Sequence, residues 1–172
     1  MIVIFGSGII GLFTALQLLN SGKQIIIFDV KDNKGSATDA SVGMLAPLIE
    51  AKPYENDLLN LMIDSKKIWD DFLKKNFKDE IGLKKNSSLL VSINEDEQES
   101  ILFKKKFLEK LGFFPKFLSH NETLSIEPNL NSNIRSSIFL ENNNQVEPPL
   151  LKKFLLDQIK EKKGELIFLK KI

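Results

Sequence analysis

The run Gly6-Ser7-Gly8-Ile9-Ile10-Gly11, followed eighteen residues after Gly11 by Asp29, has the residue types and spacing to bind a dinucleotide. Gly6 permits a tight turn, Gly8 lets backbone approach a diphosphate, and Gly11 lets a helix lie close to a sheet. Asp29 puts a carboxylate where ribose hydroxyls can donate to it. These groups act only if particular elements hold them, and the flanking residues predict those elements. Residues 1–5 read as a strand. Leu12, Ala15, Leu16, Leu18 and Leu19 mark a helix, and Ile25-Ile26-Ile27-Phe28 a second strand ending on Asp29. Strand, glycine turn, helix, strand and acid, in that order, make a dinucleotide-binding βαβ unit. Its helix N-terminus offers unpaired N–H groups and a partial positive charge to the diphosphate.

Residues 1–19 carry no charged side chain, which also suits a signal peptide or a membrane helix. A signal peptide needs a basic leading region, and none is present. Glycines break the apolar run, and neither idea explains a following strand that ends on an acid. The expectation is therefore no membrane span and a cytoplasmic location. A hydrophobic content of 42% supports a real core, and a net charge of +1 gives no electrostatic footprint for nucleic acid. The chain has no cysteine, which excludes disulfides, thiolate metal sites and cysteine nucleophiles. His120 is the only histidine and Arg135 the only arginine, so metal or triad chemistry has little to draw on. No metal site is expected and no catalytic residue is assigned.

Residues 30–57 read as a long connection of small and polar residues, with Gly35, Pro47 and Pro53, a length usually kept for function. Residues 58–77 predict an amphipathic helix whose inner stripe is Leu58, Leu61, Met62, Ser65, Ile68, Trp69, Phe72 and Leu73. Trp69 is expected as a core anchor. Residues 81–93 predict paired strands turning near Asn86-Ser87-Ser88. A helix over 95–111 has acids at its start and Lys104, Lys105, Lys106 and Lys110 toward its end, read as a solvated face. Residues 113–118 predict a strand. Ser119 with Glu122 predicts a capped short helix that leaves His120 in a structural surface position. Residues 135–140 predict a strand, 148–162 a helix opened by Pro148, and 165–169 a strand after Gly164. The fold class is α/β: a Rossmann-like βαβ with an inserted α+β segment. The expected division is 1–57, first part of the nucleotide domain; 58–147, insert; 148–172, the returning helix and strand.

The loop Ala37-Thr38-Asp39-Ala40-Ser41-Val42-Gly43-Met44-Leu45-Ala46-Pro47 resembles the A-S-x-A-A-A-G-M-L-A-P segment of glycine oxidases from thiamine biosynthesis, in the FAD-dependent D-amino acid oxidase superfamily. Ser65 to Trp69, Glu127-Pro128-Asn129-Leu130 and Gln145-Val146-Glu147-Pro148 agree with it, so the resemblance covers essentially all 172 residues. It implies FAD as cofactor. Gly6, Gly8, Ile9, Ile10 and Gly11 would line the diphosphate turn, and Asp29 and Val30 would meet the adenosine ribose. Ala37 and Thr38 would contact the diphosphate side, and Val42, Gly43 and Met44 would lie against the flavin ring. Asp29 is shorter than the family's glutamate, and Ser41-Val42 replaces two alanines.

The resemblance further implies oxidative deamination of glycine or a small amino acid or amine, with molecular oxygen or another electron acceptor, feeding thiazole synthesis. It places the carboxylate-binding arginine beyond this chain, which is expected to be an N-terminal part of a longer enzyme, C-terminally incomplete and inactive alone. A homo-oligomer is open for the full-length enzyme. Sarcosine oxidase-like and D-amino acid dehydrogenase-like flavoenzymes are alternatives. An NAD-linked dehydrogenase predicts a continuing βαβ rhythm that the long insert interrupts. A non-catalytic nucleotide-binding half needing a partner chain is the alternative of another class.

Overall fold

The structure of the protein, a computed structural model, describes residues 1–30, 36–74 and 80–169. Gly35 and the last residues of the predicted 58–77 helix lie outside the described residues. The chain divides into two compact units, one of Met1–Met44, Phe77–Leu83 and Val146–Ile172, the other of Leu45–Asn76 and Lys84–Gln145.

In the first unit the apolar runs become β1 (Ile2–Phe5) and β2 (Ile25–Val30), joined by α1 (Ile9–Asn20). They pair in parallel from Ile2 opposite Ile25 to Phe5 opposite Phe28. Parallel neighbours need a crossover, and α1 supplies it. The small residues of the long connection form α2 (Ala37–Ala40) and β3 (Met44–Leu45), where a plain loop was expected. α3 (Pro47–Glu50) follows, with Pro47 at its first turn.

The second unit begins with α3 and α4 (Asn56–Leu73) and continues through β4 (Lys84–Ser92), α5 (Glu95–Lys110), β5 (Lys116–Ser119), α6 (His120–Ile126) and β6 (Ser136–Gln145). Its sheet runs in the order β3-β6-β4, with β5 also paired to β6. β4 and β5 are antiparallel to β6. The hairpin expected over 81–93 is instead the single strand β4, whose partner β6 lies some fifty residues on. Asn86-Ser87-Ser88 is a register shift within it, not a turn. The strand expected from 113 begins only at Lys116, after the Gly112 turn at φ +86 and Pro115. Buried hydroxyls hold the sheet's end: Ser92 Oγ lies 2.9 Å from Ser136 Oγ, and Thr123 Oγ1 2.8 Å from Ser137 Oγ. Glu122 accepts from the Ser119 N–H at 2.8 Å, as the cap predicted, and His120 Nδ1 lies 2.6 Å from the Ile134 carbonyl.

α7 (Pro148–Glu161) and β7 (Glu165–Leu169) return the chain to the first unit. β7 pairs in parallel with β2, giving the order β1-β2-β7. Ile25 and Ile27 are buried, with Leu12, Ala15 and Leu16 of α1 and Leu151, Phe154, Leu155 and Ile159 of α7. Each such large side chain contributes about 2 kcal/mol on burial. The expected α/β class is therefore what the chain adopts.

Two expectations change in the second unit. On α4 the inner row is Leu59, Met62 and Ile63, against Ala51, Leu108 and Leu140. Leu58, Leu61 and Ile68 face outward, and Trp69 is half-buried, edge-on to Phe72. Met62 and Leu73 of the expected stripe do turn inward, but the rest of the inner row is the neighbouring one, Leu59 and Ile63. Lys104 is not part of a solvated face. Its ammonium donates to the carbonyls of Ile49 and Ala51, the latter at 2.8 Å, just past α3. Burial pushes its pKa down, with Lys52 acting the same way and Glu50 opposing. Lys104→Met leaves both carbonyls without that donor and is expected to cost about 1–3 kcal/mol. A urea melt in which this variant matches the parent would show that the clamp contributes nothing.

Candidate functional site

β1 ends at Phe5 and α1 begins at Ile9, so Gly6-Ser7-Gly8 makes the whole turn. The Gly6 N–H donates to the Phe28 carbonyl at 2.8 Å, fixing the turn to the end of β2. Gly8 is the N-cap, in extended conformation, and has no side chain to cover the first-turn amides of α1. Gly11 sits so close to the turn that a Cβ there would fall 2.2 Å from the Gly6 carbonyl oxygen. Ile10, between them, is exposed.

α2 docks on this helix start. Thr38 Oγ1 accepts from the Ile9 N–H at 2.9 Å, and its hydroxyl proton can still be donated to another acceptor. A Cβ on Gly8 would lie 3.3 Å from the same oxygen. Ala37 precedes Thr38 and is exposed. Asp39, the next residue, is paired across the unit with Lys152 of α7 at 3.2 Å.

Asp29 closes the other side. Its Oδ2 accepts from the Ser7 N–H at 2.8 Å and from the Ser7 hydroxyl, and its Oδ1 from the Val30 N–H at 2.7 Å. Burial is the largest single influence and opposes ionisation. The bonds from the Ser7 hydroxyl, the Ser7 N–H and the Val30 N–H, with the Lys152 charge, outweigh it and hold the carboxyl below the usual 3.8. A depressed carboxylate contributes stability above its unfolded value and loses it as pH falls through the folded one. The stability gap between the parent and Asp29→Asn should therefore be constant at neutral pH and shrink below about pH 4. A gap that stays constant into strong acid would contradict the assignment.

Val42, Gly43 and Met44 form a second cluster in the same unit. Gly43 lies at φ +68, and its carbonyl accepts from the Val146 N–H at 3.0 Å. Val42 and Met44 are exposed beside it.

Sequence reasoning missed three contributors. Ser7 occupies a motif position open to any residue, and only the fold shows its hydroxyl on Asp29. Val146 was legible as part of a junction but not as the mate of Gly43. Lys152 lies 113 residues from Asp39 and carries no sequence signal.

An anionic diphosphate fits the helix start chemically. The Ile9 amide is taken by Thr38 Oγ1, while the Ile10 and Gly11 amides have no side-chain cap and Gly8 has no side chain to cover them. Asp29 Oδ1, which accepts only from the Val30 N–H, keeps a second lone-pair direction for a ribose hydroxyl, whereas Oδ2 already accepts twice from Ser7. Among the described residues no cluster of histidine, cysteine, aspartate or glutamate suits a metal ion, and no helix is long and apolar enough to cross a membrane. An open groove of about 860 Å³ in the second unit, lined by Pro47, Ile63, Lys66, Phe113, Phe139 and Glu141 among others, contains none of the candidate cofactor-binding residues.

Residues 1–172 match the family described as FAD dependent oxidoreductase (DAO). Glycine oxidase from Bacillus cereus ATCC 14579 is similar in structure, with a TM-score of 0.83 and 24% identity over 96% of this chain and 45% of that one. Glycine oxidase from Geobacillus kaustophilus gives a TM-score of 0.86 at 23% identity, over 96% and 45% of the two chains. L-alpha-glycerophosphate oxidase from Mycoplasma pneumoniae, a structure with FAD bound, gives 0.81 at 23%, over 96% and 44%. These identities speak to fold, and the chain spans less than half the length of those solved chains. No curated protein matches the sequence. The family match over the whole chain, on a fold whose glycine turn, Thr38 and Asp29 converge at one helix start, shows that this chain belongs to the FAD-dependent oxidoreductase (DAO) family.

Proposed function

We propose that the first unit holds FAD and that the enzyme it serves oxidises glycine or another small amino acid or amine. The observation that carries the reading is the joint geometry of α1, Thr38 and Asp29. The Ile10 and Gly11 amides, with Ile9 held by its bond to Thr38 and with Gly6 and Gly8 clearing the approach, receive the diphosphate. Thr38 orients it from the α2 side, with Ala37 beside it. Asp29 and Val30 meet the adenosine ribose. Val42, Gly43 and Met44 present backbone to the flavin ring. Bound flavin supplies the redox chemistry by accepting hydride from the substrate α-carbon, and oxygen or another acceptor removes the electrons.

The candidate-site residues bind and orient, and no acid–base pair is seen among the described residues. Nor does Arg135 offer a free fork for a substrate carboxylate, since its guanidinium bonds Glu95 at 3.2 Å at the surface of the second unit. The glycine oxidase-like segment from Ala37 to Pro47 favours a small amine substrate and a product used in thiazole assembly.

The test is a visible spectrum of the natural full-length protein, followed by anaerobic addition of glycine, sarcosine or D-alanine. Bleaching by glycine, with peroxide released when air returns, is the expected result. A flavin spectrum that none of the three bleaches would reject the amine reading while leaving the cofactor in place.

A further inference from the structure

The Asp39–Lys152 pair joins the residue that follows Thr38 to α7. Lys152 lies in the second turn of α7, near the end of a helix whose dipole disfavours a cation. Its side chain is nevertheless mostly covered, at 25% exposure, and its ammonium is aimed across the unit at Asp39 rather than at solvent. Asp39 directly follows Thr38, whose hydroxyl oxygen touches the first amide of α1. Asp29 lies on the other side of the same turn, through Ser7. An incoming diphosphate would therefore meet two carboxylates close to the amides that should receive it. Among the described residues, the Lys152 charge bears on both, since it is also among the influences acting on Asp29.

We infer that Lys152 is a charge-compensating positioning residue for the cofactor: paired with Asp39, it cancels the negative potential that would repel an anionic diphosphate from the start of α1. The inference rests on the reading of this site as the FAD site. It differs from a simple cross-link between α2 and α7 in one checkable way. A cross-link is lost equally when either partner is removed, whereas charge compensation makes the two removals act in opposite directions.

The experiment is titration of the flavin-stripped full-length protein with FAD, read by quenching of flavin fluorescence at low salt, in the parent, Lys152→Gln, Asp39→Asn and the double variant. Lys152→Gln should weaken FAD about three- to tenfold, an effect that fades as salt rises. Asp39→Asn should bind as well as the parent or more tightly. The double variant should return to the parent affinity, and Lys152→Arg should keep it. Equal weakening by both single variants, or a double variant as weak as Lys152→Gln, overturns the inference; melting temperatures of all variants identify any loss of fold. A parent protein that takes up no FAD overturns the site reading itself, whereas FAD uptake indifferent to these charges overturns the inference alone.

Discussion

Gly43→Ala is expected to lower the melting temperature by roughly 10 °C or more. Two costs add at this position. The backbone lies at φ +68, where an alanine pays about 1–2 kcal/mol of left-handed strain. The new Cβ would also fall 2.0 Å from the Val146 carbonyl oxygen, 3.1 Å from its carbon and 3.2 Å from Pro148 Cδ. None of these is the free end of a flexible side chain. The contact can open only if the 42–44 segment and the lead into α7 move apart. That separation breaks the bond from the Val146 N–H to the Gly43 carbonyl, worth about 1 kcal/mol. The Glu147 N–H bond to Ile81, next along the chain, is strained with it. The sum is about 3–5 kcal/mol, or a fall in melting temperature of roughly 10 °C or more for a chain of this size. Gly112→Ala is the control. It has φ +86 but open space around the added methyl, so it should show the strain alone, about 1–2 kcal/mol. Equal melting temperatures for the two variants would mean that the close approach at Gly43 is not what holds the segment.

That contrast also explains what the sequence could reveal. The βαβ unit was legible because each part is local: an apolar run, glycines at fixed spacing, a helical stripe and an acid. In sequence Gly43 reads only as lying against the flavin ring; the backbone it approaches closely, Val146, lies a hundred residues on and carries no local signal. Periodicity found α4 and could not say which of its two apolar rows turns inward. Leu58 and Leu61 fit a helical stripe with Met62 as well as Leu59 and Ile63 do, and only the position of Leu108 and Leu140 decides. Lys104 reads like its neighbours in sequence, and its burial follows from two carbonyls some fifty residues away. Asn86-Ser87-Ser88 has turn chemistry but sits in a strand, because β6 offers a long partner that tolerates a bulge. At the candidate site the same division holds. The backbone features are in the motif, whereas the side-chain pairs Ser7–Asp29 and Asp39–Lys152 are products of tertiary placement.

Gly11→Ala should abolish tight FAD binding, against what helix propensity predicts. Alanine in place of glycine within α1 gains about 1 kcal/mol of intrinsic helix preference. The added Cβ, however, would stand 2.2 Å from the Gly6 carbonyl oxygen and 3.3 Å from its carbon, with Ile4 Cγ2 at 3.5 Å. Something must move by about 1 Å to reach ordinary contact. Gly6 is poorly placed to yield, because its N–H is bonded to Phe28 and its φ of +101 is already at a turn. The helix start must therefore tilt away from β1, taking the amides of Ile9 and Ile10 and the Thr38 bond with it. A displacement of that size in groups that position a ligand costs about 100-fold. The loss in FAD affinity should exceed the loss in stability, which the propensity gain partly offsets to about 1–2 kcal/mol. FAD titration and a urea melt on the same preparation of the full-length protein separate the two. If the variant melts with the parent and still binds FAD equally well, the contact between helix and turn does not set the aim of the amides. If it melts lower in proportion to its weaker binding, the turn acts on the fold and only through it on the cofactor. Binding lost well beyond stability is the expected pattern, because Gly11 meets the backbone of the turn rather than a side chain that could rotate away.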